Sequence, residues 1–145
     1  MTNEQKLLVQ STFAVIAPNP DAVAETFYNR LFEIDSSLRQ LFKGDMKTQG
    51  TMFMSMIALS IKGLDNLAML VPAVQNLGRR HSNYGVSDEH YSIAGQAFLW
   101  TLEKCLGEKY TNEVHQAWVA TYTLLANTMK EAQHEEETMR NAVSA

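Results

Sequence analysis

His81 is a lone histidine on the apolar stripe of a helical segment, with no second metal-ligating side chain close to it in sequence. In Val71-Pro72-Ala73-Val74-Gln75-Asn76-Leu77-Gly78-Arg79-Arg80-His81, helical spacing puts Val74, Leu77, Gly78 and His81 on one face, with Arg79 and Arg80 just off it. The chain has four histidines (His81, His90, His115 and His134) and one cysteine, Cys105, and the nearest of these, His90, lies beyond the segment. A structural zinc site needs three or four His or Cys ligands, which this pattern does not supply. A haem iron needs as little as one, because the porphyrin provides four nitrogens. The alternative is a core histidine whose ring is satisfied by a backbone carbonyl. On this segment alone both readings stand.

The elements that would position His81 are helical. Only seven glycines and three prolines punctuate 145 residues, and β-branched runs are scarce. Thr2 with Gln5 forms a capping-box pattern before Leu7, Leu8, Val9, Phe13 and Ile16. Asn19-Pro20 reads as an N-cap with proline at the first helical position. The helix it opens carries Val23, Phe27, Leu31 and Ile34, with Ala24, Tyr28 and Phe32 beside them. Ser36 or Ser37 is expected to cap a short turn through Leu38, Leu41 and Phe42. A Met-rich helix is predicted from about Thr48 to Lys62, ending at Gly63. The His81 helix is predicted to begin near Asp65 or Pro72 and to end at Gly85. Ser87 opens the next, with Tyr91, Ala94, Phe98, Leu102 and Leu106 inward, stopping at Gly107. Thr111 opens the last, with Val114, Trp118, Leu125 and Met129 inward, and a frayed tail is expected over about 136–145. The reading is therefore all-α: about seven helices, two of them short, in one domain over residues 1–145.

Composition narrows the function. A hydrophobic content of 46% with 19% charged residues describes a globular chain rather than a disordered one. A net charge of −4 without a basic block argues against nucleic acid as a partner. A single cysteine excludes an internal disulfide. No apolar run approaches a membrane span, and the N-terminus lacks a signal-peptide pattern, so a cytoplasmic protein is expected.

Three blocks, in this order and spacing, resemble the globin family, and in particular the single-domain bacterial haemoglobins related to flavohaemoglobin. They are Thr26-Phe27-Tyr28-Asn29-Arg30-Leu31-Phe32 followed by Leu41-Phe42; Leu77-Gly78-Arg79-Arg80-His81 with Gly85-Val86 and His90-Tyr91 beyond; and Ala117-Trp118 followed by Tyr122. The resemblance covers nearly the whole chain and implies a three-over-three helical sandwich around haem b, iron protoporphyrin IX. It makes His81 the proximal iron ligand and Phe42 the aromatic packed on the porphyrin face. Val86 would touch the haem from the turn after the proximal helix, and Arg80, Arg79 or Lys47 would pair with the propionates. Taken alone, Phe42 is equally an ordinary core residue, and the basic residues equally solvated.

The same resemblance places Tyr28 and Gln49 in the distal pocket, with Phe53 on the Gln49 face of one helix. Oxygen on ferrous haem gains negative charge, so a donor aimed at it stabilises the bound state. A tyrosine, with an ordinary pKa of about 10, remains a donor at neutral pH. Tight oxygen binding and slow release are expected. No histidine precedes residue 81, so a bis-histidine haem is not available in this register. Met52, Met54 and Met56 lie near the pocket and read as adaptable core packing rather than as a sixth ligand. Phe53 stands where relatives carry a smaller aliphatic, which implies a crowded pocket. Tyr91 matches the family's proximal tyrosine, but the carboxylate that completes that arrangement falls on Gln133. A neutral amide pushes less electron density toward the iron, which weakens peroxidase-like chemistry.

The leading expectation is reversible binding of O2, for storage, transport or scavenging, with CO and NO as further diatomic ligands. The alternative is a nitric-oxide dioxygenase, which would need a separate reductase because the chain has room only for the globin. A gas sensor and a haem-free globin-like module are weaker readings: no output domain is visible for the first. The second leaves His81, Phe42, Tyr28 and Gln49 without a reason to share this register.

Overall fold

The computed structural model describes residues 1–144, with side chains described through Ala142. Among the described residues the fold has six α-helices: α1 Asn3–Ile16, α2 Pro20–Ile34, α3 Met46–Lys62, α4 Leu67–Asn83, α5 Asp88–Leu106 and α6 Asn112–Ser144. A 3-10 helix at Ser36–Leu41 provides the expected short element, and single 3-10 turns follow α3 at Gly63–Asp65 and α5 at Gly107–Lys109. The all-α architecture is as the sequence implied.

Most of the helix starts follow their capping chemistry. The Thr2 hydroxyl accepts from Gln5 N at 3.0 Å while the Gln5 side chain accepts from Thr2 N at 3.1 Å. Ser87 opens α5 in the same reciprocal way, with His90 as its partner. The Thr111 hydroxyl accepts from Val114 N at the start of α6. Two expectations need correction. Asn19 makes no side-chain cap bond, so α2 starts on Pro20 and the Asn19 carbonyl alone. The 3-10 helix is capped by Asp35, whose carboxylate accepts from both the backbone and the hydroxyl of Ser37. The serine that was expected to cap is thus the donor.

Boundaries moved for similar reasons. Asp45 caps α3, taking Thr48 N at 3.1 Å, so the helix begins at Met46 rather than Thr48. α4 runs through Pro72, losing one backbone bond near its start, and ends at Asn83 before Gly85, which adopts a φ of 74°. α6 continues as one helix to Ser144, where a frayed tail was expected. Arg140 Nη2 donates to Asn83 Oδ1 at 3.0 Å, tying the late turns of α6 to the end of α4, and the final residue lies outside the described residues.

The most extensive helix pairings are α4 on α6, α2 on α5, α1 on α6 and α2 on α3. Trp118 of α6 is fully buried, and its indole N–H donates at 2.9 Å to Thr12 of α1, which satisfies the one polar group that burial would otherwise orphan. The α4–α6 crossing is backbone against backbone at Gly78. A Cβ there would sit 2.7 Å from Met129 Cα and closer still to the Met129 carbonyl oxygen. Neither atom can rotate away, so Gly78→Ala must separate the two helices. We expect a loss of about 1–3 kcal/mol or more, the cost of an overpacked core, read as a lower urea midpoint. A wild-type midpoint would contradict this close approach.

Candidate functional site

One cavity of ≈ 270 Å³ opens between the helices, and both groups of candidate residues line it. From α2 and α3 come Tyr28, Gln49 and Phe53; from α4 and α5 come His81 and Tyr91; Phe42 and Val86 contribute from the connections. Most of the rest of the wall is aliphatic or aromatic. Among the described residues, no group of three or more His, Cys, Asp and Glu is placed to hold a metal ion. No helix among them is long and apolar enough to cross a membrane.

His81 sits on the last turns of α4, on the stripe that buries Leu70, Val74 and Gly78. Its Nδ1 lies 3.0 Å from the Tyr91 hydroxyl, which leaves Nε2 as the second ring nitrogen of a side chain that borders the cavity. Burial, with a smaller contribution from the neighbouring Arg80 cation, pushes the His81 pKa down to about 4. The imidazole is therefore neutral at physiological pH and keeps a lone pair, as a metal ligand must. Tyr91 in turn donates to Gln133 Oε1 at 2.7 Å, and burial first, then the Asp88 and Glu137 charges, holds its phenol well above the ordinary tyrosine range. Tyr122 fixes the backbone at this point by donating to the Tyr91 carbonyl. Gln133 is 2% exposed, and its Nε2 donates to the Val86 carbonyl and to Glu137. Gln133 therefore ends a hydrogen-bond chain that runs from His81 through Tyr91.

Tyr28 anchors the other group. It is buried on α2 next to Phe27, and its ring meets Phe42 edge-on at 5.3 Å and Phe53 at 5.8 Å. Phe53 stacks on Phe27 at 4.3 Å with an interplanar angle of 8°. Such pairs each add about 0.5–1.5 kcal/mol beyond their buried area and hold the Tyr28 ring in place. Burial raises the Tyr28 pKa, and the nearby Gln49 amide pulls more weakly the other way. The phenol is thus protonated throughout the physiological range, and it remains a donor. Gln49 reaches the cavity from the first turn of α3 because Asp45 fixes where that helix starts. The larger Phe53 ring is accommodated by lying flat against Phe27.

Not all expected residues come together. Arg80 is exposed, and neither it nor Arg79 nor Lys47 borders the cavity; Arg79 instead donates to Asn76 at 2.9 Å. Helical geometry explains this, since residues directly before His81 point away from its face. The Arg80 charge contributes, after burial, to the lowered His81 pKa. Of the three methionines, Met52 and Met56 border the cavity, while Met54 faces a second, smaller hollow beside Phe13 and Pro20. Two residues visible in the sequence have contacts there that sequence reasoning did not assign. His90 both caps α5 and borders the cavity, and the His–x–x spacing from Ser87 was the available signal. Glu137 lies four residues after Gln133, one helical turn on, but its contact with that amide depends on the α6 register.

A family model described as Globin matches residues 25–129. The flavohaemoprotein of Vibrio cholerae serotype O1 is 30% identical over 129 residues, 87% of this chain and 33% of that protein. That of Xylella fastidiosa (strain 9a5c) is 31% identical over 127 residues, 86% of this chain and 32% of its own length. The chain thus spans about one third of these relatives. Among solved structures, an engineered carbene transferase from a candidate nitric oxide dioxygenase of Rhodothermus marinus superposes with a TM-score of 0.85 at 21% identity, covering 100% of this chain and 99% of that one. A hexacoordinated haem protein from an anhydrobiotic tardigrade gives 0.84 at 14% identity, covering 92% and 96%. These two likenesses concern the fold. With the family model covering most of the helical core and both the His81 and Tyr28 positions inside the match, the chain belongs to the globin family.

Proposed function

We propose that this protein holds haem b in the cavity between His81 and Tyr28 and uses it to bind dioxygen reversibly. The observation that carries the reading is the division of labour within one apolar cavity. One wall presents a neutral histidine braced at Nδ1, and another presents a protonated tyrosine beside a glutamine. The fit to haem is chemical: aromatic and aliphatic walls suit the porphyrin faces, and the single imidazole suits an iron whose other ligands are not protein. When bound, haem supplies an iron with one position open to a diatomic gas, CO and NO included.

The rest is the work of the chain. His81 offers Nε2 as the metal ligand, and Tyr91 keeps the ring from turning. Phe42 and Val86, which line the same cavity, would pack against the bound cofactor. Tyr28 would donate a hydrogen bond to a bound ligand that carries negative charge while keeping its proton, and Gln49 would orient that hydroxyl or donate beside it. Phe53 closes the wall around them and limits water entry. Because Gln133 is neutral, the proximal side pushes less electron density than a carboxylate would, which favours holding oxygen over breaking its bond.

A second reading, nitric-oxide dioxygenase, takes its lead from the name of the Rhodothermus protein, and the same Tyr28 and Gln49 would serve it. It requires a reductase to return the iron to the ferrous state. The two are separated by mixing the oxygenated protein with nitric oxide, with and without an added flavin reductase. Oxygen that leaves and returns over repeated degassing cycles, with nitric oxide consumed only once per protein, is the expected result. Sustained conversion to nitrate when the reductase is present would replace it with the enzymatic reading.

A further inference from the structure

The hydrogen-bond chain from His81 has a direction, and that direction is set at its far end. The Gln133 Nε2 carries two N–H groups, and both are used, one on the Val86 carbonyl and one on Glu137 Oε1 at 3.0 Å. Turning the carboxamide over would set its oxygen against a carbonyl and a carboxylate, with no proton between the acceptors. Oε1 therefore faces Tyr91, where a carbonyl oxygen has no proton to give. Tyr91 must donate, at 2.7 Å, and its oxygen is left to accept from His81 Nδ1 at 3.0 Å. The ring proton stays on Nδ1, and the lone pair of Nε2 stays on the cavity side.

We infer that Gln133 is a positioning residue whose amide, oriented by Val86 and Glu137, fixes the tautomer of His81, and that Glu137 makes an amide rather than a carboxylate the required group at position 133. The direction of the chain rests on hydrogen-bond geometry alone; only the purpose of the Nε2 lone pair rests on the haem reading above. A glutamate at 133 has no N–H for either partner and would set a carboxylate that is 2% exposed in the present chain's geometry against that of the half-buried Glu137. The amide is thus a matched partner of Glu137, not a weakened copy of a carboxylate.

The first readout is 15N NMR of the protein as purified, in the carbon-monoxide form if haem is present. The Gln133 side-chain NH2 pair should be slow to exchange and close to Val86, and a pair found against the Tyr91 hydroxyl overturns the inference. The second is a set of three proteins: Gln133→Glu, Gln133→Glu with Glu137→Gln, and the unsubstituted chain. Gln133→Glu alone should lower the thermal midpoint and leave the iron–histidine stretching frequency no higher than in the unsubstituted protein. Adding Glu137→Gln should recover part of the midpoint, the Val86 carbonyl still lacking its donor, and raise the frequency, since the new amide can donate to the new carboxylate. If the single variant matches the double in both measurements, Glu137 does not select the amide. Should the single variant fail to fold while the double folds, the midpoint contrast is simply larger. Should neither fold, the NH2 readout on the unsubstituted protein still decides the direction. Failure of the haem reading shows separately, as a missing Soret band with the NH2 pair unchanged.

Discussion

A His81→Gly protein is expected to lose its Soret absorption on purification, and millimolar imidazole is expected to restore it. The side chain removed is the neutral ring that borders the cavity, and the space it leaves has the shape of the small molecule added back. Glycine near the end of α4 costs about 1 kcal/mol in helix propensity, so helicity measured in parallel should be little changed. His90 also borders the cavity, but its Nδ1 accepts from Ser87 N at 3.0 Å as part of the α5 cap. It is not expected to compensate. A full Soret band in the glycine variant without imidazole would move the ligand elsewhere, and His90→Ala in that background would show whether it had moved there.

The second large effect is on ligand release. Tyr28→Phe keeps the ring contacts with Phe42 and Phe53 and removes only the hydroxyl. A hydrogen bond to a charged acceptor is worth about 1.5–3 kcal/mol, so the oxygen dissociation rate should rise by roughly ten- to a hundred-fold. Carbon monoxide, which takes up little negative charge, should dissociate at nearly the unsubstituted rate. Stopped-flow displacement of each gas measures both. An unchanged oxygen rate would remove Tyr28 from contact with the ligand, and an equal rise for both gases would mean that the cavity had opened rather than lost a donor.

What could be read in advance follows the range of the physics involved. Caps within four residues of a helix start, such as Thr2 with Gln5 and Ser87 with the start of α5, were legible because their partners are fixed by helical geometry. The apolar stripes through Val23, Phe27 and Leu31 and through Phe98, Leu102 and Leu106 were legible for the same reason, and all six residues are buried. Asp35 was missed as a cap because aspartate and serine are both competent there, and only the fold decides which of them donates. The continuation of α4 through Pro72 reflects packing against α6 outweighing one lost backbone bond. Tertiary contact also extends α6: its late turns would fray alone, but Gln133 and Arg140 tie them to Tyr91 and Asn83.

The candidate site divides in the same way. His81, Tyr28, Gln49, Phe42, Phe53, Val86 and Tyr91 were named from the family resemblance that three blocks carry, and the fold gathers all seven around one cavity. Arg80 was named for its charge, and its position on the helix turns it to solvent instead. The partnership of Gln133 with Glu137 was out of reach, because it needs the rotation of α6 that brings Gln133 onto Tyr91 and Val86 at once.

The central claim is that one neutral histidine and one protonated tyrosine share a haem cavity, and the absorption spectrum of the purified protein tests it most directly. The ferric, dithionite-reduced and air-exposed forms would be recorded in turn, after haem addition if the preparation is colourless. A Soret band, a five-coordinate ferrous form and a stable oxygenated spectrum are the predicted result. The absence of any Soret band after haem addition would contradict the account, and His81 would then be a buried histidine held by Tyr91 for the sake of the fold alone.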